Sequence, residues 1–138
     1  MVAVQPGLQV PRRSDVAVTG LIGLGATTLL AAVDPNQTGH YPTCPLLALT
    51  GLYCPFCGGM RVVHDLVHLD LLGALARNPL VVVMLPFVVL AWLAWARSAF
   101  TGRRAPVAPH WLLPAALVLL AGFGILRNVP GWSWLSPA

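Results

Sequence analysis

The sequence predicts an all-α membrane protein with three transmembrane helices and one or two interfacial or re-entrant amphipathic helices after a cysteine-containing loop. Three observations predict it. Hydrophobic residues make up 57% of the 138 residues and charged residues only 9%, where soluble domains carry about 25% charge, and the mean hydropathy is +0.78. Three apolar runs near spanning length are separated by polar turns. Between the first two lies a segment too polar to span that still repeats on a helical period.

Residues 1–15 are expected to form a flexible N-terminal segment, and residues 16–138 a single helical membrane domain. The first span, 16–33, follows Arg12, Arg13 and Asp15 and stops at Asp34-Pro35-Asn36, a turn signal. It reads as an anchor rather than a secretory signal, because its run is long for a signal core and Val33 suits cleavage poorly. A loop over 34–57 then holds every cysteine. Over 58–77, Arg61, His64, Asp65 and His68 share one helical face, while Val63, Leu66, Val67 and Leu71 lie elsewhere around it, which suits interfacial helices. Asp70 is placed to cap a second short helix over 71–77, which Asn78 ends before Pro79. The second span, 80–96, has Pro79 in its first turn and stops at Arg97. The third, 111–126, ends at Arg127-Asn128, where a cation complements the helix dipole and can snorkel to headgroups.

All eight positive charges are arginine and all four acids aspartate, a bias that suggests a GC-rich bacterial gene. Cytoplasmic helix ends carry the excess of positive charge. Arg12, Arg13, Arg97, Arg103 and Arg104 fall on one side of the predicted spans and Arg61, Arg77 and Arg127 on the other. The expectation is a bacterial plasma membrane protein with a cytoplasmic N-terminus and with the cysteine loop and C-terminus outside. Trp92, Trp95 and Trp111 would line the inner interface, and Trp132 and Trp134 would anchor the tail at the outer one. The net charge of +4 does not mark a nucleic-acid partner, since the arginines form no basic stripe with interleaved aromatics. The lipid bilayer is the partner they fit.

Cys44, Cys54 and Cys57 lie within fourteen residues, the last two in a C-x-x-C, Cys54-Pro55-Phe56-Cys57. Three chemistries remain open. On an oxidising exterior, Cys44 can pair with Cys54 or Cys57, a clasp of about 2–4 kcal/mol that leaves one thiol over and needs no cofactor. Alternatively, Cys44, Cys54 and Cys57 with His64 form a Cys₃His zinc set, with His68 and His40 as lesser candidates and no odd thiol. Thirdly, Cys-Pro-Phe-Cys looks like the C-P-x-C of glutaredoxins, and a helix start lowers a thiol pKa, although the strand framework of that fold has no counterpart in the pattern.

Taken together, Cys44-Pro45, Thr50-Gly51, Cys54-Pro55-x-Cys57-Gly58, Arg61, His64, Asp70, Asn78-Pro79 and Arg127-Asn128 resemble a family of small bacterial membrane proteins. That family is catalogued only as a domain of unknown function, with the signature C-P-x-C-G-x-T-R. The resemblance runs over residues 16–137. Met60 departs from it, standing where the family usually has threonine, and so lacks a hydroxyl that could bond a helix start. The resemblance implies a membrane scaffold with a cysteine-bearing loop and supplies no reaction.

Clustered acids, an activated serine and a phosphate-binding glycine loop are all missing from the sequence. The sequence therefore favours a noncatalytic accessory or assembly protein that packs on a larger membrane complex, with a respiratory cytochrome bc–oxidase supercomplex as the candidate. Arg61, His68, Trp132 and Trp134 are its expected interaction residues. Gly20, Gly23, Gly25, Ala26, Gly122 and Gly124 permit close helix contact, within the chain or with a partner. The alternative is a metal-binding or thiol-redox membrane protein using the C-x₉-C-x₂-C loop. Three short spans without a buried charge pair do not suit a transporter.

Overall fold

The structure is a computed structural model and describes residues 10–37, 39–42, 44–104, 108–131 and 135. Among them the chain forms six α-helices and no strand: α1 (Arg13–Ala32), α2 (Pro45–Thr50), α3 (Gly59–Val67), α4 (Leu71–Arg77), α5 (Pro79–Thr101) and α6 (Leu112–Leu126). The all-α expectation holds, and the element bounds shift where local chemistry dictates. The Asp15 carboxylate accepts the Arg12 backbone N–H at 3.4 Å and complements the helix dipole. As a result α1 starts at Arg13, inside the segment expected to be flexible; residues 1–9 lie outside the described residues. α5 starts on Pro79, with Asn78 Oδ1 accepting the Val81 N–H at 3.2 Å. It continues past Arg97, because arginine is a good helix former, until Gly102 at φ 66° ends it.

At about 1.5 Å per residue, α1 and α5 are roughly 30 and 35 Å long, long and apolar enough to cross a membrane. Only 6% of the apolar window of each is buried, whereas the core helix of a soluble protein is mostly buried. α6 has 15 residues and at about 22 Å falls short of the roughly 30 Å hydrocarbon layer. Among the described residues there are thus two helices of spanning length where the sequence led us to expect three. Leu21, Ile22 and Leu24 on α1, Phe87 and Leu90 on α5, and Val118 and Ile125 on α6 are exposed. These faces are compatible with lipid contact.

α1 and α5 pack antiparallel, the start of one against the end of the other. Val16, Ala96 and Ala99 form their buried cluster with Trp92 and Trp95 against it, and Arg13 lies 5.5 Å over the Phe100 ring. Trp92 Nε1 donates to Thr19 Oγ1 at 3.1 Å. Gly20 makes room for that ring, since a Cβ there would sit 3.3 Å from it. Gly20 therefore serves packing within the chain.

α3 and α4 are two short helices within the 58–77 segment. Asp70 Oδ1 accepts the Gly73 N–H at 2.8 Å, the expected cap, and Asn78 closes the helix through its N–H to Ala74 O. Val62 and Ala74 are fully buried between these helices and their neighbours, and Asp65 is buried beside Arg77 at 3.8 Å. α3 also meets the C-terminal end of α1, where His64 Nδ1 bonds Leu30 O at 2.7 Å. The last turn of α1, the first of α5 and the last of α6 all reach the layer that holds the cysteines.

Candidate functional site

The site begins with two local turns. Pro45 at the first helical position and Gly51 at φ 72° bracket α2, with the Gly51 N–H donating to Leu47 O at 2.9 Å. This short helix replaces part of the loop expected over 34–57, and it carries Cys44 at its N-cap. The second turn is the C-x-x-C itself. The Cys57 N–H donates to Cys54 O at 3.1 Å, and the Cys54 N–H reaches Cys57 Sγ at 3.3 Å. Gly58 at φ 84° then swings the chain into α3, a backbone angle at which a side chain would be strained.

The turns bring the three sulfurs together. Cys54 Sγ lies 3.1 Å from Cys57 Sγ and 3.6 Å from Cys44 Sγ, and all three fall within 4.8 Å of one another. A tetrahedral ion with bonds of about 2.3 Å to sulfur would hold its ligands roughly 3.8 Å apart. All three are free thiols, so the expected Cys44 clasp is not formed, and the nearest pair is Cys54 with Cys57.

The loop is gripped from behind by residues far away in sequence. Arg127 is 2% exposed. Its Nη1 donates to the carbonyls of Cys57 at 2.9 Å, Cys54 at 3.3 Å and Pro55 at 3.5 Å, its Nη2 to Arg77 O at 3.2 Å, and its Nε to Leu135 O at 2.8 Å. The Phe123 ring lies 5.3 Å beneath it. Asn78, fully buried, donates to Pro55 O and Cys57 O at 2.8 and 3.1 Å. Asn128 reads both backbone groups of Tyr53, each at 2.9 Å. Arg127 thus points inward to carbonyls, where the sequence suggested a cation snorkelling to headgroups. Carbonyls withdrawn from water need donors. Arg127, Asn78 and Asn128 are the residues that sequence reasoning undervalued. Their signal was there in Asn78-Pro79 and Arg127-Asn128, each at the end of an apolar run.

His64 does not join the thiols. Its Nδ1 holds Leu30 O and its Nε2 lies 3.5 Å from Asp34 Oδ1, which places it against the end of α1 and outside the thiol group. His68 stacks on it at 4.3 Å between ring centroids and bonds His64 O. His40 bonds Asp34 O at 3.0 Å. Arg61 Nε donates to Pro35 O at 3.3 Å, tying α3 to the turn after α1. Trp132 and Trp134 lie outside the described residues.

The thiols differ electrostatically. The Leu47 backbone N–H, helped by Cys54 and Cys57, pulls the Cys44 thiol down to about 7, whereas burial and Cys54 push Cys57 up to about 12. In the metal-free chain we expect iodoacetamide to label Cys44 first, with a rate rising through pH 7, and Cys57 last; peptide mapping of a time course checks the order. Cys44, lowered on folding, favours the folded state increasingly as pH rises from about 7 towards its ordinary 9.0, and that gain is lost as pH falls through 7.

The three cysteines also line a cavity of about 720 Å³, together with Tyr41, Leu47, Tyr53, Phe56, Met60 and Arg61. Fold and site together define a small helical protein with lipid-compatible faces and a three-thiol loop at the convergence of its helix ends. Residues 44–92 match the model of the family described as "Protein of unknown function (DUF2752)". The match spans the three cysteines, α2, α3, α4 and the first part of α5, a narrower stretch than the resemblance drawn over 16–137, and Arg127 and Asn128 fall beyond it. No curated protein and no solved structure matches the chain.

Proposed function

We propose that the chain is an integral membrane protein of three spans, α1, α5 and α6, that holds a soft divalent ion of the zinc class on Cys44, Cys54 and Cys57 at one membrane surface. The observation that carries this reading is the gathering of three Sγ atoms within 4.8 Å from two separate turns. Thiolates select soft and borderline ions, and zinc is the redox-inert member of that group. The convergence of the α1, α5 and α6 ends on one layer supports three alternating spans, with local thinning of the bilayer around α6 making up its shorter length. Five arginines lie towards the opposite end and three at the cysteine layer, which supports a cytoplasmic N-terminus and an outer thiol site in a bacterial plasma membrane.

The test is metal content and thiol state together, on protein extracted in mild detergent without reductant or chelator. The expected result is one zinc per chain, with the thiols slow to alkylate until a chelator is added. A disulfide with one free thiol and no metal would overturn the reading and favour a structural clasp. An accessory role on a larger membrane complex is the second reading. It is favoured by α6, which makes no extensive contact with another helix among the described residues and leaves Leu113, Leu117, Val118 and Leu119 exposed. Native purification that always yields the chain alone would sink it.

A further inference from the structure

We propose that the fourth ligand of the ion is a thiolate from outside the chain, delivered through the cavity that the three cysteines line. The inference rests on the metal reading above. A tetrahedral ion needs four donors, and the loop supplies three. Every histidine and aspartate of the sequence lies among the described residues, and none joins the sulfur group. His64 is committed to Leu30 O and Asp34, His68 to His64 O and His40 to Asp34 O. The open side of the thiol triangle instead meets the cavity of about 720 Å³, within the roughly 300–1,000 Å³ of small-ligand sites. A site with three protein donors and one open position is built for exchange.

Charge and softness select the incoming donor. Arg127 lies directly behind the loop, bonded only to carbonyls and with no carboxylate at ion-pair distance among the described residues. Arg61 stands in the cavity wall. A divalent ion on three thiolates carries one net negative charge, and a fourth thiolate makes it two. The two guanidiniums favour that added charge over a neutral donor, and soft sulfur matches the ligands already present. On binding, the incoming sulfur bonds the ion, any solvent ligand there leaves, and the thiol proton passes to buffer.

Cobalt(II) is the probe, since its thiolate bonds absorb by charge transfer. The full chain in detergent is loaded with cobalt(II) and titrated with mercaptoethanol, and in parallel with a short peptide carrying one cysteine. The expected result is a saturable rise of about one third in the charge-transfer band, from three sulfur bonds to four. Saturation by mercaptoethanol assigns a small thiol; saturation by the peptide alone assigns a cysteine of a partner chain, and both support the inference. An unchanged band with cobalt still bound overturns it while leaving the metal reading intact. A chain that takes up neither cobalt nor zinc overturns the metal reading first and the inference with it.

Discussion

Replacing Arg127 with methionine is expected to lower the stability of the folded chain by about 3 kcal/mol, since it leaves several buried carbonyls short of a donor. The guanidinium is 2% exposed and donates to carbonyls of Cys54, Pro55, Cys57, Arg77 and Leu135. Methionine fills much of the volume and satisfies none of them, and each buried carbonyl left without a donor costs about 1–3 kcal/mol. Asn78 still serves two of the carbonyls, which keeps the total from being their sum. The loss is read as a lowered denaturant midpoint in detergent, accompanied by faster alkylation of Cys57, which is buried in the wild type. Arg97→Met, on the exposed face of α5, is the control and is expected to stay within about 0.5 kcal/mol. Equal effects from the two variants would show that the inward grip of Arg127 contributes nothing.

Replacing Cys54 with serine is expected to weaken zinc binding by at least about 100-fold, beyond the 10–100-fold that even an outer-shell partner costs. Cys54 is the thiol that links the other two, at 3.1 Å from Cys57 and 3.6 Å from Cys44. Serine keeps the size but offers a hard neutral hydroxyl in place of a thiolate. Competition against a chromophoric chelator measures the change. The metal-free stability should barely move, because the turn is held through backbone carbonyls and not through the Cys54 side chain. Retained zinc affinity in this variant would remove Cys54 from the ligand set and with it the three-thiol site.

Much of the local structure was legible before any coordinates. Asp70 as the cap of α4 and Asn78-Pro79 as the break before α5 are decided by side chains within four residues of the groups they bind. Locality of the same kind hid α2, because six residues in a cysteine-rich stretch carry too little periodicity to declare a helix, and only Pro45 and Gly51 mark its ends. The partner of His64 was hidden for a related reason. Helical periodicity put it on the face of Arg61, but only the approach of the α1 end, 34 residues earlier, shows that its ring binds Leu30 O.

Composition, the apolar runs and the clustered cysteines determined, from the sequence alone, an all-helical chain with lipid-compatible faces and a group of soft-ligand residues between its first two apolar segments, because these depend on residue type and near neighbours. Only the tertiary structure decided that Cys44 joins the C-x-x-C pair, and that Arg127 turns inward to grip that loop from 70 to 73 residues away. An arginine at the end of an apolar helix can place its charge in water or on buried carbonyls. Which of the two it does depends on backbone brought there by folding, and no spacing along the chain encodes that directly.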